Sequence, residues 1–149
     1  MKNQSSASSR KGMAVIETAV LLPFLVLLIL GTSELGWYVY GAQTLHNVAR
    51  EGVRVAARAD STNADVEAAI QVALSNSVGV DSAAVSSRIS CLNSQGEELY
   101  QVQNLSINEN GKAIRVIVSM DIGDFAFATN ILGLESQSIS CYAVMQRQE

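Results

Sequence analysis

The first residues that could do chemistry are Lys11-Gly12-Met13-Ala14-Val15-Ile16-Glu17. Glu17 is the one carboxylate in an apolar run from Met13 to Gly31. An ionised group at mid-membrane costs ~2.5–3.5 kcal/mol on insertion scales, so a charge kept in such a run should have a task. Gly12 has no side chain, and its backbone can enter a protein cleft closely. The plainer alternative makes Gly12 a linker glycine and sets Glu17 at a membrane edge. Elsewhere, Cys91 and Cys141 are the only cysteines, without CxxC or metal-ligand spacing. His46 stands among polar neighbours with no nucleophile or metal partner, and no role is assigned to it. Arg50, Arg54 and Arg58 recur every four residues, the pattern of a solvated helix face or of a contact with lipid phosphates or an acidic neighbour.

No serine elbow, phosphate loop or HExxH string occurs. Carboxylates are scattered rather than paired. The expectation is a protein without catalytic residues, metal or cofactor, and without a small-molecule substrate. The chain has 149 residues and a formal net charge of −4. Lys2, Arg10 and Lys11 precede the apolar run, and the remainder holds seven basic against fourteen acidic residues. A body that acidic argues against nucleic acid as a partner.

These residues need elements to position them. Residues 1–11 are polar, Ser-rich and basic, the composition of a disordered segment. From Met13 to Gly31, nineteen residues rise about 28 Å as a helix, close to the ~30 Å hydrocarbon thickness of a bilayer. Trp37, Tyr38 and Tyr40 follow, where aromatics suit the water–lipid interface. Basic residues on the N-terminal side alone put that end in the cytoplasm. Pro23 reads as a kink tolerated in lipid. A secretory signal peptide cut after Ser33 is the rival reading, and Glu17 argues against it.

Leu35, Tyr38, Ala42, Leu45, Val48, Gly52, Val55 and Ala59 continue as one helical stripe. Asp60-Ser61-Thr62-Asn63 supplies break and cap residues. A second helix spans 63–76, with Val66, Ala69, Ile70, Ala73 and Leu74 inward and Gly79 and Asp81 ending it. Strands are expected at 87–92, around 98–108, at 113–122 and near 137–147. Gln95-Gly96 is a turn signal, and Asn110-Gly111 a two-residue hairpin signal. Ile114, Val116, Val118, Met120 and Ile122 alternate cleanly, and Ile139, Cys141, Ala143 and Met145 share a face. Phe125-Ala126-Phe127 and Ile131-Leu132 lie between the last strands, as core cover or as a contact patch. The expected class is α+β: a long N-terminal helix, a short second helix and a small antiparallel sheet of about four strands. Cys91 and Cys141 fall on inward faces. Outside the cytoplasm they are expected to pair, two buried thiols being the alternative.

The string Lys11-Gly12-Met13 with Glu17 resembles type IV pilins and pseudopilins. The run VIETAVLLPFLVLLILGTSELG, followed by AREGVR, is similar to the TadE-like family of the tight-adherence (Flp-type) pilus systems. The matching positions are Glu17, Pro23, Glu34 with Gly36, and Ala49-Arg50-Glu51-Gly52. Ile16 departs from the usual Val, and Leu35 from the usual aromatic. The resemblance covers about residues 11–58. It implies a leader, 1–12, cut by a prepilin peptidase between Gly12 and Met13, which makes Glu17 the fifth residue. The new α-amine would then balance Glu17 of an adjoining copy, two poorly solvated charges becoming one pair. It further implies a transmembrane helix over 13–36 and a periplasmic domain over 37–149, single-pass in a bacterial inner membrane. The implied partners are the peptidase, other pilins or pseudopilins and the assembly platform, with Glu34, Arg50, Arg54 and Arg58 as interface candidates. The implied function is that of a minor pilin or pseudopilin needed for pilus assembly and surface adhesion. The alternative is an uncut, membrane-anchored scaffold or binding module of a secretion system.

Overall fold

Period-two alternation builds the sheet, and period-3.6 stripes build what covers it. A computed structural model describes residues 5–77, 80, 82–105, 111–121 and 138–148. In chain order these form α1 (Ser5–Ala56), α2 (Asn63–Ser75), a 3-10 turn (Ser82–Ala84), β1 (Val85–Leu92), β2 (Glu98–Gln101), β3 (Ala113–Asp121) and β4 (Ser138–Gln146). The class is the expected α+β, with one four-stranded antiparallel sheet in the order β2-β1-β3-β4. The chain divides into two compact units, Met1–Gly36 and Trp37–Glu149.

The first unit is helical from Ser5, which corrects the expectation of disorder through residue 11. Once the apolar run has nucleated a helix, extending it by one residue is cheap, and no Pro or Gly interrupts Ser5–Lys11. From Met13 to Leu30 the apolar side chains are exposed on every side of the helix. A helix apolar all round either is buried in a protein or spans a membrane. This one is long and apolar enough to cross a bilayer, and among the described residues none covers its apolar window. The hydroxyls within it turn inward on their own helix. Thr18 Oγ1 donates to the Ala14 carbonyl at 2.8 Å, Thr32 Oγ1 to Leu28 at 2.9 Å, and Ser33 Oγ to Ile29 at 2.9 Å. Such bonds satisfy polar groups where no water can.

In the second unit β3 is the spine. Ile114, Val116, Val118 and Met120 are all buried, and β3 pairs with β1 on one side and β4 on the other. Against that face pack Leu45, Val48, Ala49 and Val53 of α1 and Val66, Ile70 and Leu74 of α2. Gly52 sits at the tightest point. A Cβ there would lie 3.1 Å from Ile70 Cγ1 and 3.3 Å from Val116 Cγ1, so glycine lets the helix approach both layers. The α2 face is as expected, with Ala69 and Ala73 partly buried beside the three core residues. Thr62 caps it reciprocally: its hydroxyl accepts from Asp65 N, and its own N–H donates to Asp65 Oδ2 at 2.8 Å. The Thr62 N–H and then the Thr62 hydroxyl, both donating to Asp65 Oδ2, hold the Asp65 carboxyl below its usual range. The helix ends at Ser75, and Asn76 caps it; Gly79 and Asp81 lie outside the described residues.

Three strand expectations need correcting. β2 stops at Gln101 because the Asn63 side chain takes over the next backbone groups. Its Nδ2 donates to the Gln103 carbonyl at 2.7 Å, and its Oδ1 accepts from Leu105 N at 2.7 Å. The hairpin read at Asn110-Gly111 does not join β2 to β3, since β1 lies between those strands. Gly111 does take φ +76°, but its N–H donates to the Arg147 carbonyl; Asn110 lies outside the described residues. Met145, expected inward, is 42% exposed at the sheet margin. The Gln95-Gly96 turn is as read: Gly96 takes φ +85°, and Asn93 Oδ1 accepts from the N–H groups of Gln95 and Glu97. Ile122, Phe125, Ala126, Phe127, Ile131 and Leu132 lie outside the described residues.

Arg147 closes the unit. It is 2% exposed. Nη1 donates to the Ala56 carbonyl at 2.8 Å and to Ser61 Oγ at 3.2 Å; Nη2 donates to the Ala59 carbonyl at 2.6 Å and to the Ser61 carbonyl at 3.2 Å. Gln148 N adds a bond to the Ala57 carbonyl at 2.7 Å. The last carbonyls of a helix lack internal partners, and a cation there also meets the negative end of the helix dipole. This is why α1 stops at Ala56 rather than running on to Ala59.

Three substitutions at two positions test this packing by the thermal unfolding of the detergent-held chain. Arg147→Ala is expected to lower stability by about 3 kcal/mol or more, since each bond to a charged donor is worth ~1.5–3. Arg147→Lys should recover only part, because an ammonium lacks the planar fork. Gly52→Ala should cost ~1–3 kcal/mol by overpacking.

Candidate assembly segment

Met13 and Glu17 are four residues apart on α1, one helical turn, and so share a face. Glu17 is exposed among exposed apolar neighbours, and among the described residues it makes no ion pair. Gly12 differs from Gly52: a Cβ on it would meet nothing within 4 Å, as is also true of Gly31 and Gly36. Glycine in a helix interior costs up to about 1 kcal/mol relative to alanine, and no packing among the described residues repays that at Gly12. Glu34 is half-buried, whereas the residues around it from Gly12 to Tyr40 are exposed.

In the second unit the arginine row is shorter than expected. Arg50 and Arg54 lie on α1, exposed, one turn apart. Arg58 lies past the helix end at Ala56, so it does not extend their row; the carbonyls satisfied by Arg147 and Gln148 turn the chain away before it. Arg54 forks onto Glu51 through Nη2 at 2.6 Å and Nε at 3.2 Å. The hydrogen bond holds the Glu51 carboxyl below its ordinary range and raises Arg54. Among the described residues, Arg50 makes no ion pair.

The expected disulfide is not formed. Cys91 pairs across the sheet with Ile114, and Cys141 with Val118, so the whole of β3 stands between them. Two strand spacings of ~4.8 Å and a four-residue offset along β3 put the Cα atoms far beyond the ~7 Å limit for a disulfide. Both cysteines do face the core side, which is what the alternation showed. Cys91 is buried, and Cys141 donates its thiol to the Ala42 carbonyl at 3.5 Å. Burial raises the Cys141 thiol above its usual pKa. Two features escaped the sequence reading. One is Arg147, whose partners lie 86 to 91 residues away with no local signal. The other is the outer face of β4, where Tyr142 and Val144 are exposed; apolar residues at both alternations of 139–145 were its signal.

An apolar-helix segment joined to an α+β unit is the class these features define. Residues 12–54 match the family model described as TadE-like protein, and over that segment the chain is similar to TadE-like proteins. The match begins at Gly12, includes Glu17, Glu34, Arg50 and Glu51, and ends within α1. Comparisons with curated proteins and with solved structures return no match.

The sheet order predicts the thiol chemistry. Protein isolated from cells, unfolded without reductant and treated with iodoacetamide, is expected to gain two carbamidomethyl groups by intact mass. A gain of none would show that the cysteines are oxidised.

Proposed function

We propose that the chain is a minor pilin or pseudopilin of a tight-adherence pilus. A prepilin peptidase cuts between Gly12 and Met13 at the cytoplasmic face of the inner membrane. Residues 13–36 then hold the protein in the bilayer, and residues 37–149 stand in the periplasm. Other pilins and the assembly platform take up the processed protein, and the pilus it helps to build serves surface adhesion. The protein works by shape and contact, without catalysis of its own. The observation that carries this reading is the TadE-like match beginning at Gly12, on a helix whose single mid-run carboxylate lies exposed among uncovered apolar side chains.

The mechanism follows from electrostatics. A carboxylate in hydrocarbon is unfavourable alone, and so is the α-amine freed at Met13. Brought together between adjoining helices, they form a pair whose separation would cost about 3–5 kcal/mol. The apolar surface sets no register by itself, since lipid tails compete equally well for it. The ion pair supplies that register.

Intact mass of the protein purified from cell envelopes tests the reading. The expected start is Met13. A start at Met1 favours the uncut scaffold, and a start at Glu34 a cleaved signal peptide. Gly12→Ala should leave the fold unchanged, because nothing lies near that position, yet leave the precursor unprocessed beside wild type. Glu17→Ala should be cut and membrane-held but lose assembled pili. Normal piliation in that variant would remove the pairing mechanism.

A further inference from the structure

β4 lies at one edge of the sheet. It pairs with β3, and among the described residues nothing pairs with its other side. An edge strand presents a row of unpaired N–H and C=O groups, and proteins usually blunt it with charge, proline, a bulge or shortness. The opposite edge is blunted in this way. β2 has four residues, carries Glu98 in an ion pair with Arg88, and its register with β1 shifts between Cys91 and Leu92. β4 has none of these devices. Its nine residues, SISCYAVMQ, include no charge and no proline, and its register with β3 runs unbroken.

Beside this open edge stands α1. His46, Asn47, Arg50, Glu51, Val53 and Arg54, with Tyr142 to Met145 of β4, line one groove of about 680 Å³. The helix wall rises about 12 Å over its eight steps, and the three steps from Tyr142 to Met145 span about 10 Å, so the two walls are of similar length. The helix wall is positive on balance, since Arg54 takes Glu51 while Arg50 has no ion-pair partner among the described residues. On the other face of β4, Tyr142 is 60% and Val144 44% exposed, with the Arg115 guanidinium 5.1 Å from the Tyr142 ring centroid.

We propose that β4 is a docking edge for an extended acidic segment of a partner polypeptide, which adds to the sheet as a fifth strand. Its main chain completes the backbone bonds that β4 leaves open among the described residues. Because strand side chains alternate between faces, its residues on the α1 side carry carboxylates that meet Arg50 and Arg54. Those on the opposite side are apolar and pack on Tyr142 and Val144. The partner therefore has a period-two pattern of acidic and apolar residues over about four positions. This assignment stands on the second unit alone and does not depend on the pilus reading.

The test uses the full chain in detergent micelles and three labelled nine-residue peptides. One alternates Glu with Val, one alternates Lys with Val, and one is the Glu–Val peptide N-methylated at alternate residues. The expected result is saturable binding of the first, with at least tenfold weaker binding of the other two. Arg50→Glu should weaken the first peptide about tenfold with an unchanged circular dichroism spectrum. Amide exchange at residues 142–145 should slow when that peptide binds. Equal binding of the Lys peptide, retained binding of the N-methylated one, or no binding at all would overturn the proposal. So would β4 amides that are protected in concentrated protein without peptide and exposed on dilution, which would make a second copy the occupant.

Discussion

A guanidinium buried beside a helix end is the interaction on which the folded unit depends. Taking a charge out of water costs several kcal/mol unless its hydrogen bonds are replaced. Arg147 replaces them with oxygens that were themselves short of donors, the carbonyls of Ala56, Ala59 and Ser61 and the Ser61 hydroxyl. Two deficits cancel in one contact. The same residue's backbone bonds to Lys112 and Gly111 just before β3. The end of α1, the turn into α2 and the start of β3 are thereby fixed to one point.

With that point fixed, the helix layer can lie close on β3. Gly52 permits the close contact with Val116 and Ile70, and the alternation of β3 supplies a smooth apolar face. The glycines of the first unit follow a different logic. A Cβ at Gly12, Gly31 or Gly36 would meet nothing within 4 Å among the described residues, so packing by those residues makes no demand for glycine there. One residue type thus marks both packed and unpacked positions along a single helix. Glu17 follows the same rule, a charge without an internal partner among the described residues, in contrast with Glu51, which Arg54 engages on the same helix.

Much of this was legible in the amino-acid sequence because the signals were local. The apolar run, the Thr62 cap, the α2 stripe and the alternation in β3 each depend on residues within a few positions of one another. The failures share the opposite property. The Asn110-Gly111 signal was read as a hairpin because turn chemistry is local, whereas which strand lies beside β3 is decided by the whole sheet. The alternation placed Cys91 and Cys141 correctly on the core side, but facing the same core is not adjacency, and strand order decided the rest. Arg147 had no signal at all, since an arginine in a polar tail looks the same whether it is solvated or buried. For the candidate assembly segment, Gly12, Glu17 and the Arg50–Glu51 string stood out through their resemblance to a family pattern, and residues 12–54 match that family's model. The exposed edge of β4 required knowing which strand ends the sheet.

The distance along the chain between Arg147 and the helix end it satisfies has a temporal meaning. Ala56 takes its guanidinium donor from 91 residues further on. At synthesis rates of about 5–20 residues per second, that is a delay of roughly 5–18 seconds. Until then the end of α1 lacks its Arg147 bonds, and the helical layer has first no sheet and then, once residue 121 is made, β3 without β4 beside it. The contacts that fix the end of α1 are therefore completed only when β4, the last described strand, and Arg147 just after it have been made.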